Sequence, residues 1–432
     1  MFDTIIRQAN LPDGRVADIG ITKGRIAAIE ASLPAEAGEV VDATGRLLSP
    51  SFCDPHFHMD ATLSLGLPRM NVSGTLLEGI ALWGELRPLL TKEALVDRAL
   101  RYCDLAVSQG LLHIRTHVDT SDPRLVTAEA LLEVQDRVRD YIDLQLVAFP
   151  QDGYYRAPQG AKSLERALDM GVGIVGGIPH FERTMEDGRL SLEALCRIAA
   201  ERGLMVDIHC DETDDPMSRH VETLAAETIR HGLQGRVNGS HLTSMHSMDN
   251  YYVSKLIPLM AEARMNATPN PLINIMLQGR HDSYPKRRGM TRVPELMAAG
   301  INVSLGQDCT MDPWYSMGSA DMLEVAHMAV HVAQMGGIDQ KARLYEAITV
   351  NSARTMGLEG YGLAVGNHAD LVLLQAADVT EAIRLKPTRL IVWRRGRVVS
   401  RTAPRLSDLS LPGRPARIDP GADFLPPALR AR

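Results

Sequence analysis

Cysteine is sparse in this 432-residue chain: Cys53, Cys103, Cys196, Cys210 and Cys309 stand far apart, with no C-x-x-C pair. That spacing supports neither a disulfide framework nor a thiolate zinc site. The five read as buried small hydrophobes. The chain also has no apolar run of the about 18 residues that a membrane span needs. Its first residues, "MFDTIIRQANLPDGR", carry charges and a Pro-Asp-Gly turn where a signal peptide would be apolar. A cytoplasmic chain without membrane contact is therefore expected. Positive charge is not in excess: 46 Lys and Arg against 53 Asp and Glu leave a net charge of -7. No overall field favours a nucleic acid polymer, and a small-molecule substrate is the expected partner.

What is present is an ordinary globular composition, 45% hydrophobic and 23% charged, enough for a large core. Residues 1–50 carry short strand-like pieces broken by Pro-Asp-Gly and Gly24, and residues 363–405 repeat that texture in "NHADLVLLQ" and "RLIVWRRGRVVS". Two β-rich ends around a long middle predict a small β-sandwich domain built from both segments. Residues 406–432, rich in Pro and Arg, read as a C-terminal arm. The middle, 51–362, alternates apolar runs with amphipathic helical stretches. Eight strand candidates fall near 49–58, 111–119, 143–151, 173–180, 205–212, 236–242, 264–271 and 301–308. Helical stretches between them stop on glycines such as Gly110, Gly203 and Gly300. Eight βα units predict a (β/α)8 TIM barrel.

Barrel enzymes place their chemistry at the C-terminal ends of the strands. Those ends carry His56 and His58, His117 and Asp119, Gln151, His180, His209 and Glu212, His241, Asn270 and Asp308. Polar loops alone do not explain so many histidines at strand ends when the chain holds only 14. In "DPHFH", alternation along a strand sends His56 and His58 to one face and Phe57 to the other. Two imidazoles converging at a barrel mouth begin a metal site. The zinc nucleoside deaminase pattern of H-x-E followed by P-C-x-x-C is excluded, because the "HVE" at 220–222 has no C-x-x-C to accompany it; His220 reads as a helix-face residue.

H-x-H on the first strand, His on the fifth and sixth and Asp on the eighth resemble the amidohydrolase superfamily. Further motifs, "GTLLEGI", "RTHVD", "DLQLVAFPQ", "IPHFE", "DIHCDETDD", "SRHVET", "PKRRGMTRV" and "DPWYSMG", are similar to bacterial cytosine deaminases over residues 2–400. The resemblance implies one divalent metal ion per subunit, iron foremost with zinc or manganese as substitutes, ligated by His56, His58, His209 and Asp308. It implies Glu212 as proton shuttle, His241 as hydrogen-bond partner of the attacking water or the substrate's reacting edge, and Asp308 as acceptor of the water's proton. Gln151 would read the pyrimidine carbonyl and ring nitrogen, while Trp314 and the backbone near Leu76 line the pocket. A homo-oligomer is also implied. Strand four, "VGIVGGIPHFE", has no lysine that could be carbamylated to bridge two metals, which favours a mononuclear site and deamination.

His117 and His180 lack an assigned ligand role: each reads equally as a residue orienting a ligand or as a satisfied polar group at the mouth. "YPKRRGMTR" reads as a solvated loop or subunit contact more than a phosphate patch. In the family, "SLGQDCTMDPW" has His-Asp-Asp where this chain has Gln307, Asp308 and Cys309. A thiol in place of a hydrated carboxylate beside C5 of the base removes the cost of pressing a methyl group against a charge. The expectation is deamination of 5-methylcytosine to thymine and ammonia, with cytosine to uracil also catalysed. The alternatives are a plain cytosine or isoguanine deaminase, another cyclic amidine as substrate, and, more remotely, a non-catalytic scaffold of the same fold.

Overall fold

The computed structural model describes residues 1–34 and 36–424, so the end of the C-terminal arm, 425–432, lies outside the described residues. The N-terminal segment forms β1 (Phe2–Asn10), β2 (Val16–Thr22), β3 (Arg25–Glu30), β4 (Ala37–Asp42) and β5 (Leu47–Pro50). The middle supplies β6 (Phe52–Phe57), β7 (Leu111–Asp119), β8 (Asp143–Phe149), β9 (Ile174–Gly177), β10 (Met205–Cys210), β11 (Val237–His241), β12 (Asn266–Thr268) and β13 (Asn302–Val303). Towards the C-terminus come β14 (Leu371–Leu374), β15 (Arg389–Arg394) and β16 (Arg397–Arg401).

Strands β6 to β13 pair in parallel and in chain order to make one eight-stranded sheet. They are buried along almost their whole length, as strands covered on both faces must be, and β7 "LLHIRTHVD" is buried at all nine positions. The sheet curls until its ends meet. The Asp308 N–H donates to the His56 carbonyl and the His58 N–H to the Asp308 carbonyl, each at 2.9 Å. The expected last two strands are shorter than the sequence suggested, because the chain leaves regular pairing after Thr268 and Val303. Gly306 then passes so close to His56 that an added Cβ would stand 2.7 Å from the His56 Cβ.

The helices between strands follow the expected punctuation. In Met185–Arg202, Thr184 caps the first turn by accepting from Asp187 N–H, while Leu192, Leu195 and Ala199 are buried at helical spacing. Each such leucine contributes about 1.5–3 kcal/mol by leaving water. Gly203 ends the helix at φ 69°, a left-handed conformation that glycine adopts without penalty.

Both chain ends build one mixed sheet, ordered β16-β15-β14-β5-β1-β2-β3, with β4 also on β1. The sandwich expected from sequence is thus a single hydrogen-bonded path. It stays continuous because β1 divides one edge between two partners, β4 from Phe2 to Arg7 and β5 at Asn10. The sheet has its own apolar cluster, including Ile6, Ile19, Ile21, Leu371 and Trp393. Arg394 joins it to the curled sheet, donating to Asp143 Oδ2 at 3.0 Å and Asp370 Oδ2 at 2.9 Å. Within the arm, Ser407–Asp408 and Arg417–Ile418 pair as a short two-stranded sheet.

Candidate active site

The C-terminal ends of the curled sheet converge on a cavity of about 220 Å³. This is below the roughly 300–1,000 Å³ of pockets for drug-sized ligands, so it suits a single small heterocycle. Its wall includes His58, His209, Asp308, Glu212 and His241 together with Gln151, Leu76, Cys309 and Trp314. All of the residues nominated from sequence therefore meet in one place, with His56 fully buried just beneath.

The residues nominated as metal ligands lie close together. His58 Nε2 is 3.0 Å from His209 Nε2, and Asp308 Oδ1 is 3.5 Å from His56 Nε2 and 3.4 Å from His58 Nε2. Ligands about 2.0–2.2 Å from a shared ion stand about 2.8–3.6 Å apart as the angle between them opens from a right angle to tetrahedral, so these separations fit one cation. The protonation pattern fits as well. Ser240 Oγ donates its one proton to Asp207 Oδ1 at 3.1 Å, so at 2.9 Å it must accept from His56 Nδ1–H. His56 Nε2 is then a bare lone pair, buried and without a partner. Burial holds His56, His58, His209 and His241 well below the usual imidazole range, leaving neutral bases able to donate lone pairs.

Beneath the ligands, Asp207 accepts from Arg115 at 2.8 Å and from Asn238 at 3.1 Å as well as from Ser240. His117 and the Arg115 guanidinium hold the Asp207 carboxyl below the usual range despite burial. Such an arrangement fixes the ring behind a ligand. His117, left open by the sequence, packs in the same cluster with its ring 4.4 Å from those of His56 and His209.

Glu212 and His241 sit over the ligand set. Burial, with the Asp308 charge adding to it, pushes the Glu212 carboxyl well above the usual carboxylate range, which favours its protonated form. Its Oε1 is 3.5 Å from His241 Nδ1. Asn274 Oδ1 accepts from Asn270 N–H, so its amide nitrogen faces His241 Nδ1 at 3.0 Å and places the His241 proton on Nε2. Asp211, His241 and Asp308 all have positive φ, at 53°, 66° and 73°. These are conformations a side chain adopts only when its surroundings hold it there, and they gather at the mouth of this sheet.

Trp314 is set by Asp312, whose Oδ1 accepts from the Trp314 and Tyr315 N–H groups at 2.9 Å. It packs so closely on Gly79, in helix Leu76–Leu86, that a Cβ there would come within 2.4 Å of the ring. Cys309 is 3% exposed, with Sγ 3.6 Å from Asp308 Oδ1, and burial pushes its thiol up, so it stays neutral. Gln307 points away from the cavity. With its amide oxygen accepting from Ser319 and Ala320 N–H at 3.2 and 3.1 Å, it ties the turn to the following loop.

Several features differ from the sequence reading or add to it. His220 does open a helix, His220–Arg230, but on its buried face, where its Nδ1 meets Asp211 Oδ1 at 2.9 Å. The "YPKRRGMTR" loop is lashed to the chain: Arg287 bonds Asp282 and the Asp214 carbonyl, and Arg292 bonds the Met245 and Met248 carbonyls. The sequence did not reveal the apolar wall of Ile80, Ile178, Phe181, Ile273 and Leu277. In a sequence, such residues look like any others of the core. His180 also faces the cavity, with Nδ1 buried and unpartnered and its pKa pulled down to about 4 by burial. Among the described residues, no helix is long and apolar enough to cross a membrane.

Comparison with known proteins agrees with this geometry. The amidohydrolase family profile matches residues 39–400. The crystal structure of 5-methylcytosine deaminase from Klebsiella pneumoniae, liganded with 5-fluorocytosine, superposes with a TM-score of 0.90 at 41% identity, covering 93% of this chain and 98% of that one. N-isopropylammelide isopropyl amidohydrolase of Pseudomonas sp. strain ADP is 30% identical over 92% of this chain and 97% of its own length. Pterin deaminase of Rhizobium rhizogenes strain K84 is 31% identical over 91% and 90%. With the family profile spanning most of its length and a histidine-rich metal-ligand cluster at the strand ends, this chain belongs to the amidohydrolase family, as a cytosine deaminase-like hydrolase.

Proposed function

We propose that the protein hydrolytically deaminates a free pyrimidine base, with 5-methylcytosine converted to thymine and ammonia, and cytosine accepted as well. The observation that carries this reading is the neutral thiol of Cys309 in the wall of a small cavity, next to Asp308. A methyl group at C5 meets a soft apolar surface there, worth about 0.8 kcal/mol by area, instead of a hydrated carboxylate. The likeness to a 5-methylcytosine deaminase at 41% identity supports the same substrate. On this reading the curled sheet is a complete (β/α)8 barrel, with the terminal segments as its appended small β domain.

His56, His58, His209 and Asp308 would hold one divalent ion, iron foremost or zinc or manganese. A divalent ion bound there lowers the pKa of water toward about 7 and so supplies hydroxide at neutral pH. Asp308 takes the first proton of the attacking water as its oxygen bonds to C4 of the base. Glu212 gives its proton to N3, which breaks the C4=N3 double bond and leaves a tetrahedral carbon. His241 donates from Nε2 to the new oxygen. Asp308 returns its proton to the exocyclic amine, the C4–N bond breaks, and ammonia leaves. Glu212 recovers the hydroxyl proton as C4=O forms, so both carboxyls end as they began. Two carboxyls with different proton occupancy are what this exchange requires.

The test is ammonia release by metal-replete enzyme from 5-methylcytosine, cytosine, isoguanine, pterin and N-isopropylammelide. Highest kcat/KM on 5-methylcytosine is expected. Turnover confined to pterin or the triazine would refute the pyrimidine assignment, and a clear preference for isoguanine would refute the role given to Cys309.

A further inference from the structure

We infer that Asn270 is a positioning residue: its side-chain amide holds one oxygen of Asp308 and so turns the other toward the ligand cluster. The inference rests on the reading above, in which Asp308 ligates the metal and accepts the water's proton. Asn270 lies just beyond β12, as the residue that precedes the short helix Pro271–Leu277. An asparagine in that place commonly caps the helix, its side-chain oxygen accepting from an N–H of the first turn. Here the side chain makes no such bond. It turns the other way, fully buried, into the seam where the curled sheet closes.

In the seam, Asn270 Nδ2 donates to Asp308 Oδ2 at 3.2 Å. The amide can face only this way, because turned over it would set its oxygen against a carboxylate oxygen. With Oδ2 engaged, Asp308 Oδ1 is the oxygen that faces His56 Nε2 at 3.5 Å and His58 Nε2 at 3.4 Å. The same Nδ2 stands 3.3 and 3.4 Å from the two ring nitrogens of His241. Nearly equidistant from both, it lies beside the imidazole and leaves the Nδ1 lone pair to Asn274. The other end of the amide, Oδ1, has no partner and packs on Gly306, where an added Cβ would come within 2.3 Å of it. A side chain that only filled this space would be apolar, since an unpaired buried oxygen costs free energy. The N–H on Asp308 is what an apolar residue could not supply. A carboxylate oxygen has two lone pairs, so Oδ2 keeps one for the water's proton while Asn270 holds the other. A partner of this kind fixes the rotation of a ligating carboxylate.

The experiment measures metal affinity by chelator competition, and kinetics at full metal occupancy, in wild type, Asn270→Leu, Asn270→Ala, Asp308→Asn and the double variant Asn270→Ala with Asp308→Asn. Leucine and alanine differ in volume and share the absence of an N–H, so a loss common to both isolates that group. Each should weaken metal affinity about 10- to 100-fold and lower kcat by a similar factor on cytosine and 5-methylcytosine alike. KM should stay within about twofold, because no contact with the base is removed. In the Asp308→Asn background, adding Asn270→Ala should change metal affinity by less than about twofold, since the two residues act as one unit. Wild-type metal affinity in either folded Asn270 variant, or an equal loss with and without the Asp308 carboxylate, overturns the inference. Wild-type metal affinity and turnover in Asp308→Asn would refute the underlying reading of Asp308 itself, and the inference with it.

Discussion

Replacing Cys309 by Asp puts the substrate assignment under the most direct strain. The thiol Sγ lies 3.6 Å from Asp308 Oδ1, and the residue is 3% exposed. A carboxylate there would stand about 4 Å from the Asp308 charge, a repulsion of about 4 kcal/mol at an effective dielectric of 20. The new carboxyl thus needs a proton or a water to be tolerated. Cytosine, with only C5–H on that side, leaves room for a water, whereas the methyl of 5-methylcytosine displaces it and leaves a polar atom unsatisfied at about 1–3 kcal/mol. Losing the methyl–thiol contact adds about 0.8 kcal/mol. Together these shift preference toward cytosine by about 2–4 kcal/mol. The upper end is bounded by the roughly 200-fold limit of one-methyl discrimination, so a 30- to 200-fold change in the ratio of kcat/KM values is expected. Steady-state kinetics on both bases, at equal metal occupancy, measures it. Cys309→Ala, neutral and apolar, should keep the wild-type preference. A change below about threefold in Cys309→Asp, or an equal change in Cys309→Ala, would refute the reasoning.

Glu212→Gln should retain bound metal and lower kcat by about two to four orders of magnitude, since it removes the group that carries a proton to N3; near-normal turnover would remove Glu212 from the mechanism. Ser240→Ala breaks the link from Asp207 to His56 Nδ1 without touching a ligand atom, and should weaken metal affinity about 10- to 100-fold in a chelator competition, with the substrate ratio unaffected. Arg394→Met leaves Asp143 and Asp370 facing each other without their cation, and should cost about 3–5 kcal/mol in urea unfolding at neutral pH. The sign with pH follows from Asp143, whose carboxyl is held below its usual range by His113 and Arg394 against the opposing effect of burial. Its stabilisation is present above pH about 4 and lost as pH falls through the lower folded value, so the gap between wild type and Arg394→Met should narrow in acid.

The curled sheet was legible because its signal is local. Most parallel strands are apolar runs, several helices carry a capping side chain or a closing glycine, and eight repeats leave few architectures to consider. The terminal sheet was legible as two β-rich ends, but not as one continuous path. Where along its one edge β1 passes from β4 to β5 is set by long-range pairing, and no periodicity records that. The last two strands were overestimated for a similar reason: apolar character continues past Val303, yet pairing stops where the chain turns toward His56.

The nominated site residues were legible for a different reason, since histidine and aspartate at strand ends are rare unless they are used. What stayed hidden is everything that acts through long-range contact. Asp207 sits mid-strand in "VDIHC" and looks like an ordinary alternating polar residue, yet it stands behind Ser240 and hence His56. His220 could be placed on a helix but not on its buried face, because its partner, Asp211, is nine positions away and outside that helix. His180 was left undecided because one strand end cannot say what faces it across the mouth. Once the ring is closed between His56, His58 and Asp308, that question has an answer: the wall opposite His180 is Cys309. The same three residues that seal the sheet are among those proposed to hold the metal. A change that loosens the seam should therefore be read first in metal affinity, before it reaches stability or the choice of substrate.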